Sequence, residues 1–259
     1  MPRKKPINLK PKYLRWILIA AGALIAAAII IYTAVRYLYK PSYTRYDDFG
    51  INIPQGFSVH GIDVSKYQRN IDWRGVKEMS IDGIEISFAY LKATEGITIM
   101  DPQYRNNYYF SKYNNMVVGS YHFFRPASPA KQQADNFLQI AQIQSGDLPP
   151  VFDVEVLDGI GKDSLINGMK IWLKKVEETC GMKPIIYTNA SFYNTYLLGI
   201  FDDYPLWVAH YFAPGNPSVK RNWQFWQHSD RGRVNGIAGM VDFNVFNGSE
   251  SDLENMLKP

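Results

Sequence analysis

One cysteine, Cys180, stands among the 259 residues, so no internal disulfide can staple the chain. It precedes Gly181 at the end of a helical pattern and reads as a small buried apolar residue. Histidine is almost as scarce. His60, His122, His210 and His228 are the four, and none falls at a ligand spacing such as H-x-x-x-H. Zinc sites and nucleophile–histidine pairs are thereby set aside, and no cofactor is expected. Basic charge is short everywhere except at the start. Six of the first fifteen positions are Lys or Arg, against a formal net charge of +4 for the whole chain. The remainder is close to neutral, slightly acidic, and presents no basic stripe to nucleic acid. There is no internal repeat and no low-complexity tract.

Charge is missing altogether from Trp16 to Val35, "WILIAAGALIAAAIIIYTAV". At about 1.5 Å per residue this run makes a helix of roughly 30 Å, the thickness of a bilayer's hydrocarbon core. Arg3, Lys4, Lys5, Lys10, Lys12 and Arg15 precede it, and Arg36 and Lys40 follow. The positive-inside bias keeps the N-terminus in the cytoplasm and sends the rest across. Trp16, Tyr32, Tyr37 and Tyr39 suit the two interfaces. A cleaved signal peptide competes, but the run is long for one and no small-x-small site follows it. The expected organisation is a basic cytoplasmic segment (1–15), a transmembrane anchor in the lipid bilayer (16–35), a juxtamembrane linker (36–57) and an extracytoplasmic domain (58–257) on the periplasmic or cell-wall side.

What is abundant is aromatic: 18 Tyr, 14 Phe and 6 Trp, enough for a sizeable core with rings left over for a binding surface. Short β-branched runs recur at 58–64, 84–93, 116–124, 150–156, 184–188, 206–211, 223–228 and 240–246. Helical patterns lie between the early ones. Asp72 is placed to cap a helix carrying Trp73, Val76 and Met79. Asp101-Pro102 opens one through Tyr104 and Tyr108. "PAKQQADNFLQIAQIQSG" puts Ala134, Phe137, Leu138 and Ala141 on one face, with Gly146 as its stop. "KDSLINGMKIWLKKVEETCG" repeats the pattern, and a shorter helix follows Asn189. Alternating strand and helix means a parallel sheet, and eight strands suggest closure. The connections "FAPGNPSVKRN" and "SDRGRVNGIAG" are rich in Pro and Gly and read as loops. The expected fold is therefore an α/β, irregular TIM-like barrel of about eight strands with an incomplete helical ring, preceded by one transmembrane helix.

In "GDLPPVFDVEVLDG" a strand puts Phe152, Val154 and Val156 on one face and Val151, Asp153 and Glu155 on the other. Two acids in the middle of an apolar strand are costly unless something uses them. Asp63 lies near the end of the first strand and Asp242 on the eighth, which closure makes neighbours. In a barrel of this type the site lies at the C-terminal strand ends, so the four carboxylates converge on one mouth. Such a cluster without His or Cys suits a hard cation held by oxygens, or glycoside hydrolysis. Crowding raises carboxyl pKa values and keeps one group protonated as an acid. Tyr67, Tyr90, Tyr121, Trp207, Tyr211 and Trp226 fall at or just beyond strand ends, where flat rings stack on sugars. Plainer roles stand beside these: Asp63 in a turn with Ser65, Asp242 paired to Arg231 or Arg233, Glu95 paired to Lys92. His122 reads as a hydrogen-bonded barrel residue close to the site.

Taken in order, "HGIDVSKYQ", "LKATEG", "GSYHFF", "GDLPPVFDVE", "KPIIYTN", "LWVAHY", "WQFWQH" and "VDFNVF" resemble the motifs of glycoside hydrolase family 25, the N-acetylmuramidase lysozymes, over roughly residues 58–250. The resemblance implies cleavage of the β-1,4 bond between N-acetylmuramic acid and N-acetylglucosamine in peptidoglycan glycan strands, with retention. It implies Glu155 as general acid and Asp153 as stabiliser of the reacting centre, with Asp63 and Asp242 completing the acidic site. Substrate contacts are expected from Tyr67, Glu95, Tyr121, Tyr187, Trp207, Tyr211 and Trp226, in a monomer. Two other functions are open at this point: a non-hydrolytic peptidoglycan-binding or scaffold protein on the same fold, and a glycosidase of chitin-like polymers.

Overall fold

The computed structural model describes residues 11–38, 43–213 and 215–259, in two compact units, Met1–Pro41 and Ser42–Pro259. Arg3, Lys4, Lys5 and Lys10 of the basic segment, and Tyr39 and Lys40 of the expected linker, lie outside the described residues. The first unit is helix α1 (Pro11–Leu38), 28 residues. Its Arg15–Ala34 stretch has a mean hydropathy of 2.5 and is long and apolar enough to cross a membrane by length and composition.

In the second unit, residues 43–57 of the expected linker belong to the folded domain. Residues from Tyr43 onward form an antiparallel hairpin, β1 (Tyr43–Tyr46) and β2 (Ile51–Pro54). Its aromatic residues are the reason. Phe49 packs edge-on to Phe243 with ring centroids 5.2 Å apart, and Tyr43 and Phe57 pack against Trp226 at 6.3 and 6.1 Å. Two hydrogen bonds fasten the hairpin: Tyr43 Oη to the Ala213 carbonyl, 2.8 Å, and Arg233 N–H to the Phe49 carbonyl, 2.8 Å.

The barrel strands follow: β3 (Val59–Val64), then β4 (Ser80–Ile81), which pairs with the outer end of β5 (Ile84–Glu95), and β6 (Ile99–Met100), which folds back on the other end of β5. Next come β7 (Val117–Phe123), β8 (Val151–Asp153), β9 (Ile185–Asn189), β10 (Leu206–Ala209), β11 (Phe225–Gly232) and β12 (Val241–Phe246). The order β3-β5-β7-β8-β9-β10-β11-β12 closes on itself. Every neighbouring pair is parallel except those of β12, which runs antiparallel to both β11 and β3. All eight expected strands are present. The loop 210–224 is long enough to carry the chain back outside a four-residue strand, so β10 and β11 stay parallel without a helix. The shorter 233–240 connection can only reverse the chain, and so β12 runs the other way.

The helical layer covers the first two thirds of the ring: α2 (Trp73–Glu78), α3 (Tyr104–Tyr113), α4 (Ala130–Ala141) and α5 (Lys162–Cys180), with Asp72 and Gly181 as the cap residues expected for α2 and α5. After β9 there is only α6 (Ala190–Phe192), capped by Asn189 and continued by a π-helical turn, and α7 (Glu250–Glu254) ends the fold. Two expected ends differ. α4 stops at Ala141, with Gln142 left-handed, because Ile143 turns into the core; Gly146 belongs to the following turn. α3 starts at Tyr104, while Asp101 accepts from Gln103 N–H at 2.9 Å and also from Lys66 N–H at 2.8 Å, tying the first strand's exit to this turn.

Strand alternation sorts the core into two layers. Phe88, Tyr90, Val151, Ile185, Trp207, Phe225 and Phe246 fill the barrel, and Phe124, Phe137, Phe152, Trp172 and Val176 pack between strands and helices. Bulk inside one strand is matched by its absence in the next: a Cβ on Gly119 would lie 2.1 Å from Tyr90 Cε1. Gly119→Ala is therefore expected to cost about 1–3 kcal/mol through overpacking. Urea unfolding reads it, and a wild-type midpoint would mean the Tyr90 ring gives way freely.

Candidate active site

Strand direction decides where the acids stand. Asp63 is the penultimate residue of β3 and Asp153 the last of β8, with Glu155 two residues beyond it, so all three reach the C-terminal end of the parallel strands. Asp242 is the second residue of β12. Because β12 runs backwards, its beginning meets the same barrel end, and Asp242 lies directly across from Asp63 in the ladder. The groove at Glu155 holds about 420 Å³ and is walled by Tyr187, Asn189, Ala209, His210 and Tyr211 among others. A larger hollow of about 600 Å³ beside α5, lined by Lys170, Glu177 and Tyr204, shares no residue with it and contains none of the four acids. Size alone does not mark the site.

The acids feel one another. Burial lifts Asp63 to about 6 even though two amide donors favour its ionised form, and Glu155 adds to the rise. Asp242 is pushed up to about 9, first by burial, then by Asp63, Asp230 and Glu155. Asp153 sits well above the usual carboxylate range through burial and then Glu155, with the Lys92 ammonium pulling the other way. Burial raises Glu155, and the Tyr187 side chain offsets part of that rise. Asp153 Oδ1 is buried without a partner among the described residues.

Asp63 is held by residues the sequence reading passed over. Gln227 Nε2 and Asn244 Nδ2 both donate to Asp63 Oδ2 at 2.8 Å. Trp207 Nε1 donates to Asn244 Oδ1 at 2.9 Å, and the Tyr187 and Tyr211 hydroxyls donate to Gln227 Oε1 at 2.8 and 2.5 Å. The signal was available: Gln227 and Asn244 are amides at inward positions of apolar strands, in register across β11 and β12.

The expected substrate contacts divide. Tyr121, Tyr187 and Tyr211 stand among the acids, which help hold all three hydroxyls protonated far into the alkaline range, after burial as the main cause. Tyr67 is 77% exposed on the turn after β3, with the Lys66 ammonium 5.5 Å from its ring centre. Glu95 ends β5 as the centre of a charge chain, 2.8 Å from Lys92 and 3.7 Å from Arg125, which in turn grips Asp158. Trp207 is sealed in the barrel, where it orients Asn244 rather than offering a face. Trp226 is a correction. It points out of the barrel, fully buried under the hairpin, with its N–H on the His210 carbonyl, so no sugar reaches it.

His122 is hydrogen-bonded, to Thr94 and Gln133, but it faces the helices against Trp172 and not the mouth. The plainer role of Glu95 holds alongside any other. Those of Asp63 and Asp242 do not: Ser65 caps the turn without Asp63, and neither Arg231 nor Arg233 forms an ion pair with Asp242.

Raised carboxyl pKa values mean the folded chain binds these protons more tightly than the unfolded chain. The stability they contribute is complete below about pH 4 and is lost as pH rises through 6 for Asp63 and 9 for Asp242. The thermal midpoint is expected to fall between pH 6 and 9, and Asp242→Asn to flatten that fall. An unchanged slope in the variant would show that Asp242 does not titrate there.

The family model for glycosyl hydrolases family 25 matches residues 62–237. The chain is 45% identical over 225 residues to YegX of Escherichia coli K12, described as uncharacterized, covering 86% of this chain and 83% of that one. It is 37% identical over 210 residues to Lysozyme M1 of Streptomyces globisporus, covering 75% and 70%. The crystal structure of the bacterial lysozyme from Streptomyces coelicolor superposes with a TM-score of 0.69 at 35% identity, over 77% of this chain and 97% of that one. The matched segment begins inside β3 and ends short of β12, leaving out α1 and the β1–β2 hairpin. On the family match and these likenesses together, the chain belongs to glycosyl hydrolases family 25.

Proposed function

We propose that this chain is a muramidase that cleaves the β-1,4 bond between N-acetylmuramic acid and N-acetylglucosamine in peptidoglycan with retention. The observation that carries this reading is the meeting of four carboxylates at one barrel end, all lifted by burial and three of them, Asp63, Asp153 and Asp242, also by neighbouring acids. Muramidase and lysozyme names among the relatives add to it.

Glu155, its carboxyl raised and beside the groove, is the general acid. It protonates the glycosidic oxygen as the bond to the anomeric carbon breaks. Asp153 has an oxygen without a protein partner. That oxygen accepts the N–H of the substrate's acetamido group and turns the acetamido oxygen toward the anomeric carbon, which it attacks. Water then attacks that carbon as the bond to the acetamido oxygen breaks and Glu155 takes a proton from the water, so configuration is retained. Asp63, held on one oxygen by two amides, supplies fixed negative charge near the developing cation, with Asp242 across from it in the ladder. Tyr121, Tyr211 and Tyr67 offer rings and hydroxyls to the flanking sugars, and Glu95 a carboxylate at the rim.

The reading extends to location. Residues 16–35 anchor the chain in a bilayer with the basic N-terminus in the cytoplasm, and a monomeric hydrolase stands on the far side. The domain then starts near residue 43, with the hairpin.

Glu155→Gln is expected to keep the wild-type unfolding midpoint and lose roughly 10²–10⁴-fold in turnover. Release of reducing ends from purified peptidoglycan measures it, with mass spectrometry of the products naming the new reducing sugar and chitin oligomers run alongside. Wild-type turnover in the variant would end the assignment. A chain beginning at Ser42 is expected to leave the membrane fraction with its turnover intact. Retention of that chain in membranes would end the anchor reading.

A further inference from the structure

We propose that the groove between the β1–β2 hairpin and the outer face of β11 is a binding site for the acidic stem peptide of the substrate's muramic acid. The proposal rests on the muramidase reading above. The groove holds about 460 Å³ and is lined by Tyr43, Arg45, Asn52, Phe212, His228 and Arg231, among others. One wall is the hairpin, which lies outside the family match.

Four features point to an anionic, partly polar ligand. Arg45 and Arg231 face the groove from opposite walls, and the Arg233 side chain packs over Gly50 at its edge with no ion pair among the described residues. Arg45 and Arg231 lean on Asp47 and Asp230 at 3.0 and 3.5 Å, but both contacts are exposed, and water weakens such pairs enough for a ligand carboxylate to compete. The groove is built over His228, which is 4% exposed and neutral, its pKa lowered to about 3 by burial, and neither ring nitrogen has a partner among the described residues. Phe212 is 79% exposed with its backbone at φ +52°, a left-handed position costly for an aromatic residue, and it holds its ring 5.9 Å from the Arg231 guanidinium.

The groove adjoins the mouth. Tyr211 donates to the Asp63 network while Phe212, the next residue, turns outward, and Asp230 raises Asp242 while Arg231, the next residue, turns outward. The groove at Glu155 and this one thus meet at consecutive residues, Tyr211 and Phe212. A stem peptide of four or five residues reaches about 13–17 Å when extended, enough to cross the rim.

The test compares two soluble substrates, glycan strands bearing stem peptides and the same strands stripped of them by an amidase. Arg231→Gln and, separately, Arg45→Gln are expected to raise KM on peptide-bearing strands by about three- to tenfold. Turnover of stripped strands is expected to stay at the wild-type level, which also reports that each variant is folded. Raising salt from about 50 to 300 mM is expected to erase the wild type's preference for peptide-bearing strands. Equal KM changes on both substrates, or none on either, would overturn the groove assignment alone. Failure of the wild type to cleave either substrate would overturn the muramidase reading and this inference with it.

Discussion

An indole N–H can only donate, and in this barrel that single fact propagates to the acidic centre. Trp207, sealed in the barrel interior, presents its N–H to Asn244, so Asn244 must turn its oxygen inward and its amide hydrogens toward Asp63. The Tyr187 and Tyr211 hydroxyls fix Gln227 the same way round, leaving its amide hydrogens for the same carboxylate oxygen. Asp63 is thus aimed by five side chains, four from strands β9 to β12 and Tyr211 from the turn after β10, before any substrate arrives. A carboxylate so held needs no reorganisation when charge develops beside it, which is the condition under which a buried charge accelerates a reaction.

The same burial makes the centre expensive. Among the described residues Asp153 has an oxygen with no partner and Asp242 has no cation, and Glu155 stands partly exposed at a groove. Stability is recovered around it: ring-on-ring packing of Phe88, Tyr90, Trp207 and Phe225 within the barrel, and of Phe152, Trp172 and Phe137 under the helices. The charge chain Lys92–Glu95–Arg125–Asp158 ties the end of β5 to the loops after β7 and β8. It also sets the one ammonium that opposes protonation of Asp153. A strained functional centre is carried by an over-determined frame.

The helix-poor side of the ring is where the fold gains something its helical side does not have. With no helix between β10 and β11 or between β11 and β12, the outer face of β11 is left to be covered by other means. The β1–β2 hairpin does this, placing Tyr43, Phe49 and Phe57 on Trp226, Trp223 and Phe243. A hairpin covers less than a helix, and the uncovered remainder is the groove with two arginines on its walls.

Periodicity alone determined the number and order of the eight barrel strands, the main helices, the apolar run long enough to cross a membrane, and which face of the fourth strand carries Asp153, though that strand ends before Glu155. These are local properties, written in spacings of two and of three to four residues. Tertiary structure alone decided the direction of β12, and with it the pairing of Asp242 with Asp63 rather than with an arginine. It decided that Trp226 faces outward and Trp207 inward although both read as strand-end rings, because facing depends on each strand's register within the closed barrel. It drew residues 43–57 onto the barrel, since their aromatics find partners nearly two hundred residues away. It also recruited Gln227 and Asn244, whose roles exist only where separate strands bring an amide, an indole and a carboxylate within hydrogen-bonding reach.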